Sequence, residues 1–188
     1  METILLKTNI PRIRVSSLQP QIIDRQFLNL WKSERLCPHF HIPLQSGSDS
    51  VLQKMRRLYD ASEYAEKIAL IRSELPEASV TTDIIAGFPG ESDLDFEKTY
   101  ELCDKLRFSD MHIFPYSARA GTSAWYFKPK VEPVIKKHRV DALIKLSTKN
   151  SKAYRESLLG QTRKVLWEKK IRLGQSNYWS GLTDNYAR

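Results

Sequence analysis

The 188 residues are 41% hydrophobic and 28% charged, which excludes a disordered chain and allows one ordinary domain, or one domain with a short appendage. No apolar run approaches the ~18–20 residues of a membrane span, the N-terminus lacks a signal-peptide layout, and two isolated cysteines, Cys37 and Cys103, exclude a disulfide framework or a Cys-only metal site; the chain reads as soluble and cytoplasmic. The net charge of +8 is uneven: residues 1–127 carry 15 Lys/Arg against 17 Asp/Glu, whereas 128–188 carry 15 against 5, a local +10 that suits a polyanion, nucleic acid first, unless it is a solvated helix face.

In chain order, Met1–Ile10 offers no strand–helix unit. Two periodicities then alternate. β-rich runs fall at Arg12–Leu18, His39–Gln45, Ser79–Phe88 and Asp110–Tyr116. Between them lie helical patterns. Ile23, Phe27, Leu30 and Trp31 share one face; Val51, Leu52 and Met55 mark a second helix; Tyr64, Ala65, Ile68, Ala69 and Ile71 mark a third, opened by Asp60 and Glu63 as a capping box. A further helix runs from about Glu91 to Leu106, with Phe96, Thr99, Tyr100, Cys103 and Leu106 inward. Four strands joined by helical crossovers predict an α/β fold with a parallel sheet over residues 1–127. The first strand would lie at an unprotected sheet edge, so a truncated front and a dimer through that edge are expected.

From Glu132 the pattern changes. Pro133 suits the first turn of a long helix with Leu143, Leu146, Ala153, Tyr154 and Leu158 in its stripe and Gly160 as C-cap, so 128–160 reads as a basic helical connector. Gln161–Trp167 and Tyr178–Tyr186 read as strands around Gly174 and Gly181, the opening of a small β-module over 161–188 that is cut short. Trp125, Tyr126, Phe127, Trp167, Tyr178, Trp179 and Tyr186 lie in or beside this basic third, as base-stacking rings or as the core of the small module.

Three loops leave the C-terminal ends of the strands: His41 to Asp49, Thr82 to Glu91, and Pro115 to Thr122. That edge of a parallel sheet is where ligands bind. Gly87 and Gly90 allow close backbone approach to a ligand, with helix N–H groups nearby for an anionic group. His39 and His41 face one side of a strand, Asp83 lies on the next and His112 beyond it. This set suits either a divalent metal, as in barrel metallohydrolases, or a hydrogen-bonded barrel interior. Nucleophile-elbow, phosphate-loop and dinucleotide motifs do not occur.

The runs HIPLQSGSDSVLQKMRRLY, TDIIAGFPGESDLDF and HIFPYSARAGTSAW, with RIRVSSLQPQ before them, resemble the radical S-adenosylmethionine methylthiotransferases from about Pro11 to Tyr186. FPYSARAGT and KKHRVDALIKLS are most similar to the branch acting on threonylcarbamoyl-adenosine in tRNA; the isopentenyl-adenosine and ribosomal-protein branches are less similar. The resemblance implies the last four strands of a six-stranded partial (β/α) barrel and, in the tail, the start of a TRAM module. It implies S-adenosylmethionine and two 4Fe-4S clusters in the longer parent, an electron donor, and tRNA held by the basic C-terminal third. The parent would replace hydrogen at adenine C2 by a methylthio group. The family's Cys-x-x-x-Cys-x-x-Cys motif and its further three cysteines do not occur in this sequence, so these residues alone are expected to be inactive. Carried over, Gln45 and Ser46 line the ribose and methionine side, Ile85, Gly87 and Phe88 pack the adenine, and Arg119 with Ser117 and Thr122 closes the site and pairs with a carboxylate. His41 and His112 are then inward-facing polar residues, and no metal ligand is assigned. Outside the family, a metal-dependent barrel hydrolase and a non-enzymatic RNA-binding module are the other classes.

Overall fold

The structure, a computed structural model, describes residues 1–188. After a short helix α1 (Glu2–Lys7), the chain forms helices α2 (Arg25–Leu28), α3 (Asp49–Lys54), α4 (Ala61–Glu74), α5 (Asp93–Leu106) and α6 (Pro133–Ser157) around three strands, β1 (His39–His41), β2 (Ser79–Ala86) and β3 (Asp110–Pro115). The strands are parallel in the order β1-β2-β3, so every connection is a helical crossover. The expected α/β fold with a parallel sheet is present. An antiparallel hairpin, β4 (Val165–Leu173) and β5 (Ser176–Thr183), follows α6.

Helix starts follow side-chain chemistry. Asp60 accepts from the Glu63 N–H while Glu63 reaches back to the Asp60 N–H, closing the expected capping box of α4. Ser92 and Asp95 do the same for α5, which therefore starts later than Glu91. Tyr64, Ile68 and Ile71 from α4 pack with Cys103 and Leu106 from α5 against the outer face of the sheet, where Phe40, Val80, Ile84 and Met111 point. Alternation along the strands leaves His39, His41, Thr81, Asp83, Ile85 and His112 on the opposite, inner face.

Four expectations are corrected. Arg12–Leu18 is not a strand: it makes one bridge, Ile13 to Leu36, and one bond from Leu18 N–H to the His41 carbonyl, because Ser17 at φ 34° breaks the extended run between them. The sheet therefore has three strands here, and β1 is the edge strand on that side. At the other edge, the Met111 N–H is capped by the Ser147 hydroxyl of α6. Tyr100 points outward, at 37% exposure, since its neighbours Thr99 and Cys103 already fill the inward face. In helix α6, Leu143 and Leu146 join the main core beside β3, whereas Ala153, expected in the same stripe, is exposed. The hairpin strands are centred differently from Gln161–Trp167 and Tyr178–Tyr186, with the turn at Gly174 (φ 62°) and a register shift between Trp167 and Lys169.

Candidate functional site

Ile85 and Phe114 are register partners across β2 and β3 on the inner face. They form the apolar floor of an open cleft of about 510 Å³, whose polar wall comes from Gln45, Asp83, Ser117, Arg119 and Thr122. Five expected site residues, Gln45, Ile85, Ser117, Arg119 and Thr122, are thus brought together at the C-terminal rim. Gln45 reaches the rim because its backbone turns at φ 68° just past β1, while its N–H bonds the Asp83 carbonyl and its carbonyl accepts from Ile85. The Arg119–Thr122 loop is closed by the Thr122 hydroxyl donating to the Arg119 carbonyl at 2.8 Å, leaving the Arg119 guanidinium exposed beside the cleft.

Ser46, Gly87 and Phe88 do not line the cleft. Ser46 is fully buried and its hydroxyl meets Thr99 at 3.2 Å, so it fixes the loop after β1 onto α5. Gly47 lies so close to α5 that an added Cβ would sit 2.7 Å from the Thr99 Cα. Phe88 packs edge-on against Tyr116 (5.1 Å) and Phe127 (6.2 Å), supporting the third loop from beneath. Gly87 needs its positive φ of 76° and would place a Cβ 2.6 Å from the Lys136 Cγ.

Beneath Gly87 lies an ion pair that sequence reasoning missed. Glu91, 5% exposed, accepts from the Gly87 N–H at 2.7 Å and from Arg139 of α6 at 2.6 Å; Arg139 also reaches Asp93 at 2.7 Å. Burial pushes the Glu91 carboxyl up, against the lowering pull of the Gly87 N–H and Arg139. The only sequence signal was a Glu just after the Gly-Phe-Pro-Gly turn and an Arg on the α6 face that carries Leu143 and Leu146. At the start of α5, burial pushes the Asp95 carboxyl up, but hydrogen bonds from Ser48, Ser92 and Ser50 together outweigh it and hold it well below the usual range.

Asp83, which the sequence places both in the Thr82–Glu91 segment and beside the histidines, joins the cleft because it alternates with Ile85 on the inner face of β2. Its Oδ1 accepts from His112 Nδ1 at 3.1 Å, and its Oδ2 lies 3.3 Å from His41 Nε2. The donor atoms of His41, Asp83 and His112 all lie within 4.8 Å of one another. His39 stands apart from that trio. Its ring contacts Thr81 and Arg14, and it stacks on Tyr186 of the C-terminal tail at 4.6 Å. Burial first, then Arg14, pushes its imidazole down to about 3.

Residues 2–103 match the family model of the radical SAM superfamily. Among curated proteins, the chain is 44% identical to the threonylcarbamoyladenosine tRNA methylthiotransferase of Thermotoga maritima, over 84% of its own length and 36% of that protein. It is 37% identical to the Bacillus subtilis protein of the same name, over 95% of this chain and 40% of that one. It is also 42% identical to the tRNA-2-methylthio-N(6)-dimethylallyladenosine synthase of Pelotomaculum thermopropionicum, over 85% of this chain and 36% of that one. The chain thus spans about two fifths of the length of these relatives. Among solved structures, coproporphyrinogen III oxidase of Escherichia coli, a radical SAM enzyme, shares the fold with a TM-score of 0.59 at 19% identity, over 74% of this chain and 32% of that one.

Proposed function

The chain belongs to the radical S-adenosylmethionine superfamily, and from that membership we propose that it is part of a tRNA methylthiotransferase that modifies C2 of N6-threonylcarbamoyladenosine. The observation that carries this reading is the 44% identity, over 84% of the chain, to a relative named for that substrate. Dimethylallyladenosine is the second reading, favoured by the 42% identical synthase. Neither the metal-dependent hydrolase nor the stand-alone RNA module gains support from these relatives. We also propose that β1 to β3 are strands of a partial (β/α) barrel and that the hairpin opens a TRAM-like module.

Membership implies S-adenosylmethionine and iron–sulfur chemistry, and the cleft residues fit the first. Ile85 and Phe114 offer an apolar floor for the adenosyl group, Gln45, Ser117 and Thr122 offer hydrogen-bonding groups, and Arg119 is placed for the methionyl carboxylate. Bound S-adenosylmethionine supplies hydrogen-atom abstraction; these side chains bind it, orient it and limit access of water. The residues present do not fit an iron–sulfur cluster. Cys37 and Cys103 are both buried, Cys37 ahead of β1 and Cys103 in α5, and burial pushes the Cys103 thiol up to about 12, against thiolate ligation. The two clusters of the proposed enzyme would take their cysteines from elsewhere in the longer protein, and these 188 residues would not turn over alone.

The basic stretch 128–188 would hold tRNA, in the cytoplasm. Its support is the net +10 and a hairpin that exposes Trp167, Tyr178 and Trp179 among Lys169, Lys170 and Arg172. Nucleoside mass spectrometry of tRNA from the source organism, with the gene deleted, tests the reading. Loss of the methylthio mark on threonylcarbamoyladenosine alone is expected. Loss only on the dimethylallyl nucleoside would move the substrate to the second reading. Survival of both marks would sink the proposal.

A further inference from the structure

Polar side chains run up the inner face of the sheet in one unbroken file. Arg14 Nε lies 3.0 Å from His39 Nδ1, and His39 Nε2 lies 3.1 Å from Thr81 Oγ1. Thr81 Oγ1 lies 3.0 Å from His41 Nδ1, and His41 Nε2 lies 3.3 Å from Asp83 Oδ2. His112 Nδ1 meets the other Asp83 oxygen at 3.1 Å.

Elementary proton counting fixes the direction of each link. A guanidinium only donates, a hydroxyl has one proton, and a neutral imidazole has one N–H and one bare nitrogen. Arg14 makes His39 Nδ1 an acceptor, so the His39 proton sits on Nε2 and is donated to Thr81. His39 is neutral at ordinary pH, held there by burial and by Arg14. The single Thr81 proton then goes to His41 Nδ1, which in the neutral ring leaves the His41 proton on Nε2, 3.3 Å from Asp83 Oδ2. In the alternative, Thr81 would accept from both rings and leave its own proton unpaired at a site 8% exposed, which costs a buried hydrogen bond. Arg14 is itself held in place, its guanidinium 3.7 Å over the ring of Tyr186, which stacks on His39.

We propose that Arg14, acting through His39 and Thr81, is a positioning residue that locks His41 in the Nε2–H tautomer, so that Asp83 faces the cleft as a hydrogen-bond acceptor and the His41–Asp83–His112 cluster does not take a divalent metal. A metal on His41 Nε2 needs that nitrogen bare, which moves the proton to Nδ1 and orphans the Thr81 hydroxyl. Asp83, bonded by His112 and flanked by His41, keeps its cleft-side lone pairs for an N–H or O–H donor of a bound ligand. The lock is a property of this chain whether or not the methylthiotransferase reading holds, so the two fail separately.

Long-range proton–nitrogen correlation NMR on the 188-residue chain near neutral pH reads the imidazole tautomers directly. In the wild type, His41 should show a single form with a protonated Nε2 and a bare Nδ1, and one equivalent of zinc should leave the His41 and His112 nitrogens unshifted. Thr81→Val should lose the single form at His41, Thr81→Ser should restore it, and Arg14→Leu should release both His39 and His41. A protonated Nδ1 or an averaged pattern at His41 in the wild type would overturn the lock, as would a Thr81→Val spectrum unchanged at His41. Stoichiometric zinc binding that shifts both His41 and His112 would overturn it too.

Discussion

Arg139 and Glu91 are 4% and 1% exposed at their side chains, yet both are charged groups, and their neighbours explain why they stay. Glu91 holds the Gly87 N–H, and Arg139 joins that turn to the α6 core. Removing one member leaves the other charge buried without its partner, which is far costlier than the pair's net worth. Arg139→Met should lower unfolding free energy in urea by ~3 kcal/mol, and on the proposed reading, at temperatures where the variant is folded, it should weaken S-adenosylmethionine binding by the proposed longer enzyme, because Gly87 borders the cleft loops. A destabilisation below ~1 kcal/mol would show that the pair behaves as a surface ion pair. His39 supplies a pH signature at the same scale. Its imidazole is near 6.5 when unfolded and about 3 when folded, so the unfolded chain binds more protons between those values. The stability tied to its neutral form is complete above about pH 6.5 and falls away as pH drops toward 3, by at most about 5 kcal/mol. Urea titrations from pH 7 to 4 should show this slope in the wild type and a flatter one in His39→Gln.

Among the elements, what was legible followed from chemistry local to a few residues. The α4 capping box needs only Asp60 and Glu63 three apart, and Asp60→Ala should cost ~1 kcal/mol of stability by thermal or urea unfolding. Thr, Ile and Val runs marked β2, and the loops after the strands carried five of the eight expected cleft residues to one place. The failures came where tertiary partners decide. Arg12–Leu18 has strand composition, but Ser17 adopts a left-handed backbone, so that the segment's only backbone bond to β1 is from the Leu18 N–H to the His41 carbonyl. Ser46 carried a polar side chain at a rim position, and only the Thr99 hydroxyl of α5, 53 residues away, turned it inward. The hairpin was misplaced because its residues are mostly exposed, so no alternation of burial marks its register. Glu91 and Arg139 could not be paired from sequence, since their 48-residue separation shows no periodic relation.

At the scale of the whole molecule, charge and fold are divided between different parts of the chain. The sheet and its cleft lie in a slightly acidic region, whereas the excess cations lie beyond Phe127. Several of those cations are already engaged: Arg163 with Glu77 and Lys164 with Glu34, which seat the base of the hairpin against the rest of the protein, and Arg188 with Glu168, which ties the tail to the hairpin. Lys169, Lys170 and Arg172 on β4 are exposed and form no ion pair, and Lys170 lies 5.1 Å over the ring of Trp179. On the proposed reading they are cations available to phosphate, beside a ring available to a base. Each phosphate contact that is lost removes roughly 0.7–0.9 from the slope of log affinity against log salt. Replacing all three by Ala should flatten that slope for tRNA by about 2–3, while Trp179→Ala should weaken binding by ~1–3 kcal/mol with the slope nearly unchanged. Filter binding or anisotropy with unmodified tRNA across a salt series separates the two contributions. An unchanged slope in the triple variant would move the proposed tRNA contact off the hairpin and onto the exposed cations of 128–160, where Lys128, Lys130 and Lys145 also form no ion pair.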